Sequence, residues 1–263
     1  MDTLVLKLVV TPVLILAASL AGRRWGETVG GWFVGLPLTS GPVCFFLALE
    51  RGPGFAAAAA RGCLAGAAAE VCFCLAYVIT AAATAPQRGW PAALLAGSVG
   101  FGAGAALLQW SPPPLWMLAA IVYPALALGL LLMPRLYAGG GTVPPPPSWD
   151  IPARVAVATA LVLGLTELAP LFGARLSGLL ATYPLFAVVL AAFAHRLSGA
   201  AAAERVLRGL LIGLFGFAGF FIVLAESIER IGIAAAFAVA TVTALAIQGG
   251  SLWLLRRPRF PRR

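Results

Sequence analysis

The chain reads as a succession of long apolar runs separated by short polar breaks. Nine runs reach the length of a spanning helix, at 4–21, 29–49, 62–85, 91–109, 115–134, 152–171, 176–194, 208–226 and 232–255. A helix needs roughly 20 apolar residues to cross the hydrocarbon core of a bilayer. The pattern therefore predicts an all-α, polytopic integral membrane protein with about nine transmembrane helices. Turn signals fall between the runs: Pro-Gln-Arg-Gly at 86–89, Ser-Pro-Pro-Pro at 111–114, and three glycines followed by four prolines across 139–147. Trp25, Trp32, Trp90, Trp110, Trp116, Trp149 and Trp253 all lie at or just beyond a predicted end. That is the headgroup level tryptophan prefers, with its ring in the interface and its N–H wet.

Composition removes the soluble alternative. Of the 263 residues, 61% are hydrophobic and only 10% charged, with a mean hydropathy of +0.98. A soluble domain carries about 25% charged residues, and this chain has too few to cover a water-facing surface. The net charge of +9 would suggest nucleic acid in a soluble protein. Here the basic residues sit at helix ends and in a tail holding Arg256, Arg257, Arg259, Arg262 and Arg263, and no exposed aromatics are interleaved with them as nucleic-acid binding requires. Cys44, Cys63, Cys72 and Cys74 fall inside apolar runs, where free cysteine acts as a small hydrophobe. Cys72 and Cys74 point to different helix faces, so no metal clip and no cofactor is expected. Met1-Asp2 offers no basic leader, so no cleavable signal peptide is expected.

Charge sets the orientation. One side collects 13 Lys and Arg residues, among them Arg23, Arg24, Arg88, Arg135, Arg154, Arg196, Arg205, Arg208 and the tail. The other holds 5: Lys7, Arg51, Arg61, Arg175 and Arg230. The rich side should be cytoplasmic, with the N-terminus out and the C-terminus in. Heavy use of Ala, Gly, Pro and Arg points to a high-GC bacterial genome, and so to the bacterial inner membrane.

A repeat emerges when the chain is shifted by 147 residues. Gly26 then meets Gly173, Gly31 meets Gly178, Pro37-Leu38 meets Pro184-Leu185, Phe46 meets Phe193 and Gly52 meets Gly199. Arg61-Gly62 meets Arg208-Gly209, Gly66 meets Gly213 and Phe73 meets Phe220. With Ala56/Ala203 and Leu64/Leu211 this makes 12 identities in 48 ungapped pairs. Ala and Leu match by chance; five glycines, a proline and an arginine in one frame do not. The domains expected are an N-terminal repeat of five spans (1–137), a Gly/Pro-rich cytoplasmic linker (138–150), and a C-terminal repeat of four spans with the basic tail (151–263). Five spans separate equivalent positions, so equivalent helices should run in opposite directions, the inverted-topology layout of many secondary transporters.

Two matched features carry physical weight. Gly62-x-x-x-Gly66 and Gly209-x-x-x-Gly213 predict close helix crossings, because small residues four apart let backbones approach in lipid. The second feature is proline inside a span: Gly35-Leu-Pro-Leu-Thr-Ser-Gly-Pro42 in one half and Ala181-Thr-Tyr-Pro-Leu185 in the other. Proline removes a backbone donor and clashes with the preceding turn, so both spans should unwind. Interrupted spans at matching places in two halves are the best sequence pointer to a transporter site. Pro37, Thr39, Ser40, Pro42, Thr182, Tyr183 and Pro184 are the candidate ligands.

Glu70 lies close to the predicted midplane, four residues after Gly66 on the same face. A carboxylate there costs about 2.5–3.5 kcal/mol on insertion scales and normally faces a cavity or partner, which suits it to carry a proton or meet a cation. Its counterpart is Phe217, so the site should be asymmetric. Glu167, Glu226 and Glu229 sit near helix ends, with Arg230 a possible partner of Glu226, and His195 reads as an interfacial residue. One histidine and few acids leave no catalytic set, and no P-loop is present, so an enzyme is not expected. The leading expectation is a secondary transporter moving a small-molecule or ion substrate by alternating access, with Glu70 as the coupling site. The alternatives are a scaffold or accessory subunit packing a partner through Gly-rich faces, a homodimer included, and a channel or lipid translocator.

Overall fold

The computed structural model describes residues 3–85, 87–110, 113–137, 146–168 and 182–256. The linker up to 145, the segment carrying Gly173, Arg175 and Gly178, and the tail beyond Arg256 lie outside the described residues. Among the described residues there are ten helices: α1 (Thr3–Trp25), α2 (Glu27–Val34), α3 (Ser40–Arg51), α4 (Pro53–Ala83), α5 (Trp90–Trp110), α6 (Leu115–Leu132), α7 (Asp150–Leu168), α8 (Leu185–Ser198), α9 (Ala200–Ile231) and α10 (Ile233–Arg256). The described residues are helical throughout apart from turns and joints. Among the described residues, five helices or parts of them are long and apolar enough to cross a membrane: α4, Trp90–Leu108 of α5, α6, α9 and Ile233–Trp253 of α10.

The distribution of apolar surface fits the same solvent. Leu95, Val99 and Leu107 on α5, Leu128, Leu131 and Leu132 on α6, and Val239, Val242 and Leu245 on α10 are all exposed. Soluble proteins rarely expose contiguous apolar patches beyond a few hundred Å². Exposed apolar side chains in this number on three helices are compatible with a helical membrane protein. Trp25, Trp116, Trp149 and Trp253 are exposed at helix ends. Trp32 instead packs inward, its Nε1 donating to Ser251 Oγ at 3.1 Å.

α4 and α9 form the centre: α4 packs chiefly on α5 and α9, and α9 on α10, α2, α4 and α8. Both are longer than the apolar runs that announce them, with 31 and 32 residues against the expected 62–85 and 208–226. The extra turns come from Ala56–Ala60 and Ala200–Ala203. Alanine is the strongest helix former, and a charged residue at Arg61 or Arg208 lowers hydropathy without breaking a helix. Each of these helices starts directly after a glycine with positive φ, Gly52 (88°) and Gly199 (86°). Gly26 and Gly232 make the same kind of one-residue joint before α2 and α10.

Candidate functional site

The expected span 29–49 is two helices. α2 ends at Val34, residues 35–39 leave the helix, and α3 starts at Ser40. Pro37 sits inside the break, where Leu38 N–H donates to the Leu36 carbonyl at 2.8 Å and Gly41 N–H to the Pro37 carbonyl at 3.0 Å. The same bond pattern occurs again 147 residues on. Leu185 N–H donates to the Tyr183 carbonyl at 2.8 Å, and Val188 N–H to the Pro184 carbonyl at 2.9 Å. Pro184 has φ −76° and ψ 58°, the inverse γ-turn that is common at loop starts. A bond from residue i+2 back to i suits proline at the centre, since it asks nothing of the missing N–H. Pro42 falls in the first turn of α3 and is exposed; there a missing donor is harmless.

Glycines seat these breaks on the long central helices. A Cβ at Gly31 would collide with the Val206 carbonyl, and one at Gly209 with the Thr28 carbonyl. One at Gly35 would sit 2.7 Å from Gly213 Cα. Two small-x-x-x-small pairs thus interlock backbone to backbone, Gly31 and Gly35 at α2 against Gly209 and Gly213 on α9. In the reciprocal place, a Cβ on Gly66 of α4 would lie 2.7 Å from Thr182 Cβ. Gly66 and Thr182 are the positions equivalent to Gly213 and Gly35. Gly62 behaves differently: it is exposed, with nothing within 4 Å of where its Cβ would be, so it takes no part in a crossing among the described residues.

The two breaks approach one another. Leu36, Leu38 and Thr39 from the first share a small cavity of about 20 Å³ with Phe186 from the second. A space of that size admits a water molecule and no larger solute. Ser40 is half-buried at the start of α3. Tyr183 turns toward α5, its hydroxyl 2.7 Å from Ser98 Oγ and its ring edge-on to Phe101 and Phe73. Glu70 is half-buried, one turn beyond Gly66, near the thiols of Cys63 and Cys74. No hydrogen bond or ion pair to it is found among the described residues. Glu226 pairs with Arg230 at 2.6 Å on the exposed surface, and the Glu167 side chain lies outside the described residues.

Three polar clusters go beyond the sequence reading. His195 is not interfacial: it is fully buried, with Tyr77 Oη 3.1 Å from its Nδ1. Adjacency to Arg196 suggested a helix end in water, but the imidazole faces α4 across the core. Arg208 is no loose interfacial charge either. Its Nε donates to Glu204, and its Nη1 and Nη2 donate to the Leu130 and Met133 carbonyls at 3.1 Å each, at the end of α6.

The third cluster is at the Asp150 end of the molecule, where α1 and α8 finish and α2, α7 and α9 begin. Asp150 is almost completely buried. One of its oxygens accepts from Arg154 Nε at 2.7 Å, the other from Arg23 Nη2 at 3.0 Å. Beside it opens a cavity of about 490 Å³ lined by Ser19, Arg23, Glu27, Asp150, Arg154 and Arg205 among others. Glu27, before the expected span 29–49, makes no ion pair among the described residues. Burial pushes its carboxyl above the ordinary glutamate range, and Arg154, Arg205 and Arg23 pull it partly back. The i,i+4 spacings Asp150/Arg154 and Glu204/Arg208 were legible as helical ion pairs; the meeting of five elements around a cavity has no local signature.

No family model, curated protein or solved structure matches this chain.

Proposed function

We propose that the chain is a nine-span membrane transporter of two inverted repeats that moves a small solute by alternating access, coupled to a proton or cation through Glu70. The observation that carries this reading is the pair of matched breaks. Pro37 and Pro184 make the same turn 147 residues apart, and each break rests on the long helix of the opposite half. Helix starts keep the same frame: Thr3 and Asp150, Pro53 and Ala200. Counting α2 and α3 as one interrupted span, five spans separate equivalents, so the halves face opposite ways. Two such halves are interchangeable in role, and rocking one against the other exposes the centre to either side in turn. α6 is the unrepeated fifth span that brings about the inversion. Glu70 lies one turn beyond Gly66, the residue that meets Thr182 of the second break, and this proximity along α4 supports giving it the coupling role. The expected setting is the bacterial inner membrane, N-terminus out.

Two experiments test this. Arg51→Cys and Ser198→Cys occupy equivalent positions; in a background lacking the native cysteines, a membrane-impermeant maleimide should label one from each side. Labelling of both from the same side would remove the inversion. In proteoliposomes with an imposed pH gradient, uptake of labelled amino acids or carboxylates should lose its proton dependence in Glu70→Gln and keep it in Glu167→Gln. Absence of any flux, together with a stoichiometric partner retained through purification, would make the chain a scaffold.

A further inference from the structure

The cavity at the Asp150 end is separate from the two breaks and is built differently. Its charges do not cancel. Asp150 uses both carboxylate oxygens on Arg23 and Arg154, leaving Arg205 exposed and without an ion pair among the described residues. Three guanidinium groups against Asp150 and Glu27 leave one net positive charge, and two if Glu27 takes up a proton. A cation entering here would face three arginines. Two further observations point to a ligand. Ser19 lines the cavity, and its buried Oγ has no hydrogen-bond partner among the described residues; a buried hydroxyl is almost always bonded. Arg154 is likewise buried, commits its Nε to Asp150 and stacks over Phe193 at 5.5 Å, so its guanidinium is held rigid at the cavity wall. At about 490 Å³ the space is in the range of small-molecule sites, roughly 300–1,000 Å³, and is larger than a bare inorganic ion fills.

We propose that this cavity binds an organic oxyanion, a phosphate or carboxylate on a small polar body, between Arg205, Arg154 and the Ser19 hydroxyl. The planar fork of arginine matches the paired oxygens of such groups, and Ser19 supplies a donor with no other partner among the described residues. The oxyanion can come from a dissolved solute or, on the membrane reading proposed above, from the headgroup of an anionic lipid, because the cavity lies at the ends of α1 and α8 and the starts of α2, α7 and α9. Glu27 faces the same space. The charged groups around it are Arg23 on α1, Asp150 and Arg154 on α7, and Arg205 on α9, while α8 contributes only Leu197 and Ser198. An ionised Glu27 opposes an anion, so binding takes up a proton and tightens as pH falls. None of this requires transport, since binding is read at equilibrium.

The test is calorimetric titration of the purified full chain in a neutral detergent with glycerol phosphate, succinate and dihexanoyl phosphatidylglycerol, with glycerol as the uncharged control. At least one anion should bind saturably while glycerol does not. Arg205→Gln, at an exposed position that should leave the fold intact, should weaken binding by about tenfold or more, as loss of a charged hydrogen bond does. Ser19→Ala should weaken it less, and Glu27→Gln should tighten it and flatten its pH dependence. Binding by the soluble anions assigns the site to a solute; binding by the short-chain lipid alone assigns it to a headgroup. No saturable binding by any of the three, or binding unchanged in both Arg205→Gln and Ser19→Ala, would overturn the proposal.

Discussion

α4 and α9 share a frame and divide the work within it. Both follow a glycine at positive φ, and both carry Arg-Gly-x-x-x-Gly at the same distance from their start. On α9 the motif is fully engaged: Gly209 and Gly213 seat α2, and Arg208 holds Glu204 and the end of α6. On α4 the same motif is half used. Gly66 meets Thr182, whereas Gly62 and Arg61 face outward. The partner residues account for the difference. Glu204 is replaced by Ala57, so Arg61 has no acid one turn away, and Gly35 is replaced by the bulkier Thr182. In exchange α4 carries polar side chains at two positions where α9 is apolar: Glu70 where α9 has Phe217, and Tyr77 where it has Leu224. Two helices with the same opening and the same motif thus differ in use: α9 is anchored through it, while α4 leaves half of it open.

That contrast can be broken by substitution at equivalent positions. The largest effect is expected at Gly209→Leu, where a side chain must displace the α2 backbone. Overpacking of this kind costs about 3 kcal/mol or more, so little monodisperse protein should survive size-exclusion chromatography. Gly62→Leu should stay within about 0.5 kcal/mol of the parent, as open surface sites do. Next in size, Arg208→Gln removes three donors from a partly buried cluster and should cost about 2–4 kcal/mol, seen as a lower Tm in detergent. Arg61→Gln should leave the Tm almost unmoved.

Gly52→Ala and Gly199→Ala should each cost about 1–3 kcal/mol, because their backbone conformation is nearly exclusive to glycine. Equal losses at the two joints would sharpen the view that the frame is shared. The smallest effect concerns Glu27. Its carboxyl titrates higher when folded than when unfolded, so the folded state binds the proton more tightly. Stability is then complete below the free glutamate range of about 4.3 and declines as pH rises through the folded value. Glu27→Gln should therefore raise the Tm at neutral pH and leave it unchanged at about pH 4.

What could be read from the sequence was local or repeated. Pro37 and Pro184 mark the breaks because a missing N–H has the same consequence wherever it occurs, and the 147-residue frame pairs them. Cys72 exposed and Cys74 buried follow from helical geometry alone. The lengths of α4 and α9 were not legible from hydropathy, which stops at an arginine where the helix does not. Gly62 shows the limit of a motif: the same four-residue spacing closes or stays open according to what a distant segment presents. His195 and the Asp150 cavity were hidden for the same reason. A side chain's burial depends on the elements it meets, and Tyr77 lies 118 residues away from His195.

The one-residue joints have a consequence for how the protein meets the rest of the cell. At Gly26, Gly52, Gly199 and Gly232 one helix gives way to the next with no loop between them. Such corners offer a protease no extended segment to cleave, an antibody no flexible epitope, and an inserted tag no slack to occupy. They also tie consecutive helices into tight hairpins, so that neither helix can be turned over without the other. A charge moved across one end of such a hairpin should turn both helices over or neither.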